Sequence, residues 1–438
     1  MRTSESQNHT DTKLTEITWL SANNPDGVFH SLMHQINVDS LRSCFDKLDG
    51  RKAAGADQVN KEMYGENLSA NLEDLIARMK RMAYHPRPVR QVLIPKEGKK
   101  GATRPLGISN FEDKLVQKRL QELLESIYEP LFLDCSYGFR PNKSCHNAIK
   151  DLMQHLFKEE VEVVIDVDLA NFFGKIDHQI LKDMLSMKIK DSKFLRYVTR
   201  MLKSGVLAED ELRVSDEGVP QGSCCSPVMS NIVAHYVIDL WLEETVKPLM
   251  QGAVKMFRYA DDIVICCRYE KDAKRIRSAM GKRLAKFKLE LNEEKTKIVC
   301  FSKRKSQRDI KQGSFEFLGF RIYLGKSLKG VTIPKLKTSG KRFRSKLNRV
   351  KLWAKQVKDK APLGEIWRIF CIKLRGHIQY YSVSFNLGMV GKFLQKARKI
   401  IFKWLNRRSQ RKSMCWEKFN AYTTLHPLPV VRVVHRMF

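Results

Sequence analysis

Apolar residues recur every three to four positions in several stretches of the chain, and each stretch predicts a helix with one buried face. Leu68, Leu72, Leu75, Ile76 and Met79 make the first, and Leu115, Leu120, Leu123, Leu124 and Ile127 make a second over 112–127. A third follows Ser226-Pro227, with proline suited to a first helical turn, through Val228, Ile232, Val233, Tyr236, Val237, Leu240 and Trp241. Ile276, Met280, Leu284, Phe287 and Leu291 predict a fourth across 272–291. Other segments carry the shorter, β-branched texture of strands: 89–96, and 161–169, which reads VEVVIDVDL. Between 256 and 267 two apolar runs flank Ala260-Asp261-Asp262, a pattern that predicts a tight hairpin with aspartates at its bend. Residues 1–26 form a polar lead ending in Asn23-Asn24-Pro25-Asp26-Gly27, a loop composition, and a glycine-containing loop is expected at 51–57. No internal repeat is evident.

Two of these strands carry charge where charge is costly. Asp166 and Asp168 stand two apart among valine and isoleucine, a spacing that puts both side chains on one strand face. A surface aspartate pair in a turn is common, but Asp261-Asp262 lies between hydrophobic strands, and a turn alone does not call for two adjacent carboxylates. Pairing the hairpin with the 161–169 strand would cluster Asp168, Asp261 and Asp262. Three mutually repelling carboxylates call for cations, and hard oxygen donors suit Mg²⁺. Two such ions support in-line nucleotidyl transfer.

Composition narrows the partner. The 438 residues hold 80 Lys+Arg against 48 Asp+Glu, a formal net charge of +32, with 43% hydrophobic residues. A folded chain with that cationic excess predicts polyanion binding in which phosphate contacts supply affinity and salt dependence. No stretch reaches the apolar length of a membrane span, and residues 1–13 lack an apolar signal segment, so neither a membrane partner nor secretion is expected. The ten cysteines include no CxxC pair and no Cys/His cluster spaced for zinc, consistent with a reducing compartment.

With these residues in view, the chain resembles the group II intron-encoded reverse transcriptases, also called intron maturases. The resemblance rests on IPKEGKKGATRPLGI at 94–108, SYGFRPNKSCHNAI at 136–149, DVDLANFFGKIDH at 166–178, EGVPQGSCCSPVMSNI at 217–232, FRYADDIVI at 257–265 and FEFLGFRI at 315–322. The six blocks occur in the family's order; YADD alone would be weak.

The resemblance implies an α/β fold of right-hand polymerase type, with fingers and palm (an antiparallel sheet backed by helices) over 27–325 and an α-helical thumb or maturase region over 326–438. It implies Asp168 and Asp261 as the main ligands of two Mg²⁺ ions, which Mn²⁺ can replace, with Asp262 supporting them or the primer end. Asp166 falls in a slot not required for catalysis. Phe173 would be the bulky residue beneath the sugar of the incoming nucleotide, excluding a 2′ hydroxyl. Lys96 and Arg104 would meet the triphosphate, and Gln221 of Pro220-Gln221-Gly222 would lie near the template or incoming nucleotide. Two departures stand out: Cys224-Cys225 where the family often has proline and an aliphatic residue, and Gly174 where it commonly has aspartate. Fidelity or stability effects are the expected consequence.

Beyond 325 the texture turns basic. Residues 331–360 hold eleven Lys+Arg against one acid, Asp359, and 392–412 hold nine and none. The segment 345–358 reads as a basic amphipathic helix with Leu347, Val350, Trp353, Ala354 and Val357 inward. Lys341, Arg342, Arg344, Lys346, Arg349, Arg407 and Arg408 are candidate RNA contacts, and Tyr380 and Tyr381 would stack on RNA or fill the core. LRGHIQYYSVSFN at 374–386, WLNRRSQRKSMCWEKFN at 404–420 and HPLPVVRVVH at 426–435 also resemble the family's maturase region. No cysteine-bracketed endonuclease module is expected. The implied partners are intron RNA, an RNA template with a DNA primer, deoxynucleotides and a DNA target. The expected location is the bacterial cytoplasm, near the nucleoid during DNA targeting, or an organelle. Two alternatives stay open: a domesticated relative in repair or phage defence, and a non-enzymatic RNA-binding maturase.

Overall fold

The computed structural model describes residues 2–95, 101–208, 211–220, 222–304, 312–408 and 414–438, the segment 2–10 by its backbone alone. Two of the expected nucleotide contacts, Lys96 and Gln221, lie outside the described residues.

Eleven strands are present among the described residues: β1 Val89–Pro95, β2 Thr103–Ile108, β3 Val163–Asp168, β4 Val206–Ala208, β5 Glu211–Arg213, β6 Val254–Tyr259, β7 Asp262–Cys267, β8 Lys297–Cys300, β9 Ser314–Phe317, β10 Phe320–Lys326 and β11 Thr332–Thr338. They form three sheets, ordered β2-β1-β4-β5, β6-β7-β3-β8 and β11-β10-β9. The second is antiparallel throughout and is the centre of the molecule.

That sheet is buried on both faces, and the period of two along its strands sorts its side chains. Val163, Ile165, Val167, Ile263 and Ile265 enter one core with helices Phe111–Tyr128, His178–Lys188 and Ser226–Ala234. Val164, Val264, Phe257 and Cys266 enter a second core with helix Cys145–Lys158 and the C-terminal helices. Asp166, Asp168 and Asp262 share the parity of Val164 and Val264. The carboxylates therefore stand on the face turned toward the C-terminal region.

The helix Phe111–Tyr128 carries the expected stripe, with Leu115, Leu120, Leu123, Leu124 and Ile127 fully buried. Each such side chain contributes roughly 1.5–3 kcal/mol of burial, and truncating one to alanine costs about 2–5 kcal/mol. The helix Leu68–Lys80 and the basic helix Gly340–Val357 also form, the latter burying Phe343, Val350 and Ala354. The C-terminal helices continue as Leu363–Tyr381, Leu387–Leu405 and Trp416–Leu425. The architecture is a mixed α/β body with several sheets backed by helices, followed by an all-helical C-terminal region.

Four local expectations are corrected. The polar lead is helical over Arg2–Asn23. Ile17 is buried in the first core, and the Ser21 hydroxyl donates to the Ile127 carbonyl at 2.6 Å. Two buried positions were too few for the periodicity to stand out. The expected helix from Ser226 leaves α geometry after Ala234 and continues as π-helical stretches, His235–Asp239 and Trp241–Val246. The helix Glu270–Ala285 stops before Phe287, with Lys288 at φ 59°, so Phe287 and Leu291 reach the core from a loop. Finally, the boundary drawn at 325/326 cuts β10, which pairs along its length with β11. The helical region begins at Gly340.

Candidate active site

The register of the central sheet assembles the site. Tyr259 pairs with Asp262 across the β6–β7 hairpin, leaving Ala260 and Asp261 as its two-residue turn, with Ala260 at φ 57°. Positive φ at the first turn residue matches the twist of paired strands. On the other side of β7, Asp262 is the direct cross-strand partner of Asp168. Asp166 pairs with Val264 and, across β8, with Lys297.

The electrostatics follow from that crowding. Burial, then Asp261 and Asp168, push the Asp262 carboxyl up to about 6, against a lowering by Arg342. Burial and Asp168 also raise Asp261, while Lys295 lowers it. Asp166 is pushed up to about 7 by burial and by Asp262 and Asp168. Asp261 and Asp262 remain accessible to solvent although protein closely surrounds them, as suits the floor of a cleft. Asp168 makes a 2.7 Å ion pair with Lys295. Its backbone is held by the same segment, the carbonyl accepting from Asn292 N at 2.8 Å.

Among the described residues no three carboxylate, histidine or cysteine side chains converge closely enough to hold a metal ion. The donor chemistry nevertheless fits a hard divalent cation: three carboxylates, two opposed across one ladder and the third in the adjoining turn, each in the others' field.

The remaining expected residues fall around this floor. Phe173 is half-buried, edge-on to Phe172 at 5.9 Å, and its carbonyl accepts from Val219 N at 2.8 Å. The 217–220 segment is further tied down by Gly218 N to the Ile176 carbonyl at 2.7 Å and by the His178 ring to the Gly218 carbonyl at 2.7 Å. Gly174 has a local reason: a Cβ there would lie 2.4 Å from Asn171 Nδ2, so a side chain at 174 would displace Asn171. Arg104 is exposed on β2, opposite Ile94 of β1. Cys225 is buried and Cys224 half-buried, as apolar fillers would be.

On the C-terminal side, Lys341, Arg342, Arg344, Arg349, Arg407 and Arg408 are exposed. Lys346 is half-buried over the Tyr381 ring, 4.9 Å from its centroid. Tyr381 is buried in the second core and has no open face for RNA. Tyr380 is mostly taken up as well, its hydroxyl donating to the Leu318 carbonyl at 2.8 Å and its ring lying parallel to Phe320 at 5.8 Å. Of the two readings for these rings, stacking on RNA or filling the core, the packing agrees with the second; they join the C-terminal helices to the β9–β10 turn. Arg342, expected on RNA, stands close enough to Asp262 to favour its ionised form.

Residues 94–322, which span the β6–β7 hairpin, the 163–168 strand and the 217–220 segment, match the reverse transcriptase (RNA-dependent DNA polymerase) family. The chain belongs to that family. Among its relatives, the group II intron-encoded protein LtrA of Lactococcus lactis subsp. cremoris is 28% identical over 467 aligned residues, covering 87% of this chain and 75% of LtrA. Protein YkfC of Escherichia coli K12 is 31% identical over 350, covering 72% of this chain and 88% of YkfC. An uncharacterized 91 kDa protein in the cob intron of Schizosaccharomyces pombe is 32% identical over 234, covering 53% of this chain and 28% of that protein. The reverse-transcriptase domain is thus related to group II intron-encoded, LtrA-like maturases.

Sequence reasoning missed three residues of this floor. Lys295 lies in a polar loop and gave no signal. Arg258 and Asp239 are fully buried partners. An arginine inside the apolar run MFRYA was the available clue, but nothing in sequence selected an acid 19 residues upstream.

Proposed function

We propose that this protein is an RNA-directed DNA polymerase of a group II intron, copying RNA into DNA and assisting the splicing and mobility of its intron by binding the intron RNA. The observation that carries this reading is the placement of Asp168 opposite Asp262, with Asp261 in the adjoining turn, inside a chain of the reverse transcriptase family.

In this reading Asp168, Asp261 and Asp262 hold two Mg²⁺ ions, with Mn²⁺ as a substitute. When bound, the ions supply charge neutralisation and activation of the primer 3′ hydroxyl. Asp168, paired with Lys295 in the structure, would have to leave that bond to hold an ion. Phe173, fixed through its carbonyl, presents its ring to the sugar and excludes a 2′ hydroxyl by contact. Arg104, with Lys96, meets the triphosphate. By the family resemblance Gln221 would lie near the template or incoming nucleotide. A cavity of about 440 Å³ with an apolar floor of Leu106, Ile108 and Phe111 and with Lys52, Lys61 and Lys114 around it supports a template path on that side. The exposed cations of Gly340–Val357, with Arg407 and Arg408, suit backbone contacts to template-primer and structured RNA. No helix among the described residues is long and apolar enough to cross a membrane. A bacterial cytoplasmic location with a DNA target at the nucleoid agrees with the reading.

Primer extension on poly(rA)/oligo(dT) with Mg²⁺ tests the polymerase claim. Binding of a group II intron RNA in preference to an unrelated RNA of equal length tests the second claim. Equal affinity for the two would remove intron recognition and leave polymerisation standing.

A further inference from the structure

Beneath the catalytic turn lies a charge that water does not reach. Arg258 is fully buried, and its guanidinium serves four elements at once. Nε and Nη2 donate to the two carboxylate oxygens of Asp239 at 2.7 and 2.5 Å. Nη1 donates to Asn231 Oδ1 at 3.0 Å and, more weakly, to the Ala260 carbonyl at 3.4 Å, while Nη2 also reaches Ser136 Oγ at 2.7 Å. The backbone of Arg258 is clamped as well: its N–H donates to Cys135 O at 2.7 Å, and its carbonyl accepts from Tyr137 N at 2.8 Å.

The partners are arranged for this contact. Asp239 is the last residue of the π-helical stretch His235–Asp239, and π geometry widens the helix and re-aims the side chains that follow. Asn231, one helical segment earlier, bonds Arg258 through its oxygen and donates through Nδ2 to the Gly138 carbonyl at 2.7 Å. Gly138 in turn lies flat against the hairpin turn, where a Cβ would sit 2.4 Å from Ala260 N. A loop, a helix and a charge thus converge on Ala260, the residue before Asp261.

A buried ion pair is a poor stabiliser, because desolvating both charges offsets most of their attraction; apolar replacements of both partners together often leave stability unchanged or higher. What such a pair supplies is direction. We infer that the buried Asp239–Arg258 pair is a positioning device for the catalytic turn, setting the Ala260–Asp262 backbone so that Asp261 and Asp262 are presented together with Asp168. This deepens the proposed polymerase reading and rests on it for the identity of the carboxylates. Arg258 and Asp239 are positioning residues that touch neither substrate nor metal.

The test uses the full chain carrying Arg258→Met and Asp239→Leu together, beside wild type. Folding is followed by circular dichroism and Tm, divalent binding by loss of the free Mn²⁺ electron paramagnetic resonance signal, and catalysis by primer extension. The expected result is a folded variant with Tm close to wild type, Mn²⁺ binding weakened by about 10-fold or more, kcat lowered by a similar factor and KM for dTTP little changed. A folded variant that binds Mn²⁺ and extends primers as wild type does would overturn the inference. Should the double substitution not fold, Arg258→Lys keeps the charge opposite Asp239 but loses the planar fork that reaches Asn231 and Ala260. It is expected to weaken Mn²⁺ binding several-fold, and wild-type binding in a folded Arg258→Lys protein overturns the inference equally. If wild type binds Mn²⁺ but extends no primer, the polymerase reading fails while the Mn²⁺ comparison still decides the role of the pair.

Discussion

The ammonium of Lys295 lies 2.7 Å from Oδ2 of Asp168, so the protein itself supplies a cation to the first carboxylate of the site. The pair is half exposed on both sides, and such pairs contribute about 0–1 kcal/mol to stability. Lys295 therefore competes for Asp168 more than it holds the fold. Lys295→Met is expected to leave Tm nearly unchanged and to tighten Mn²⁺ binding several-fold in a titration followed by electron paramagnetic resonance. Weakened binding would show that the ammonium orients Asp168 rather than competing for it.

The close approach of Gly138 to Ala260 has a direct consequence. A methyl group 2.4 Å from a backbone nitrogen forces the turn to move. Gly138→Ala is expected to lower primer extension by about 10-fold or more, in line with small misplacements of catalytic groups, while the protein still melts cooperatively. Wild-type extension rates would show that the 136–140 loop yields instead.

Phe173, proposed to face the sugar, is fixed through its own carbonyl, so shortening its side chain removes the ring without releasing the backbone. Phe173→Ala is expected to raise ribonucleotide incorporation relative to deoxynucleotide by at least about 10-fold, on the scale of losing a steric exclusion. Parallel kcat/KM measurements with UTP and dTTP check it, and an unchanged ratio removes the assigned role.

Acid should weaken the C-terminal region through His377. The ring is buried, stacked on Phe393 at 3.6 Å, and neither nitrogen has a hydrogen-bond partner among the described residues. Burial, with Lys346 nearby, pushes it down to about 3 from 6.5. A depressed folded pKa means the unfolded chain takes up the proton first, so stability is full above about pH 6.5 and is lost as pH falls toward 3. The loss is on the order of a few kcal/mol at the acid end. Half-buried His155 and buried His235, both lowered to about 4 by burial first, act in the same direction. Tm measured from pH 7.5 to 5 should fall, and His377→Phe should flatten part of that fall while keeping the stack. An identical slope in the variant would assign the acid sensitivity elsewhere.

What could be read from sequence follows the strength of each local pattern. The β6–β7 hairpin was readable because two apolar runs around Ala260-Asp261-Asp262 leave few alternatives, and the helix Phe111–Tyr128 because its buried positions repeat at helical spacing. The helix Arg2–Asn23 was not, since only Leu14, Ile17 and Ser21 turn toward the core while its other apolar residues, Trp19 and Leu20, are exposed and blur the stripe. The π-helical stretches carry the same apolar spacing as an α-helix over so few residues that periodicity does not separate them. Asp168, Asp261 and Asp262 stood out as charges in apolar strands. Their meeting depends on strand register, and the roles of Lys295, Asp239 and Arg342 depend on long-range packing that residue spacing does not encode.

The most direct measurement is primer extension by purified, RNA-free protein on poly(rA)/oligo(dT) with Mg²⁺, wild type beside Asp261→Asn. The account predicts extension by wild type and none by the variant, with matching circular dichroism spectra. Absence of extension by wild type, or equal extension by both, would contradict it.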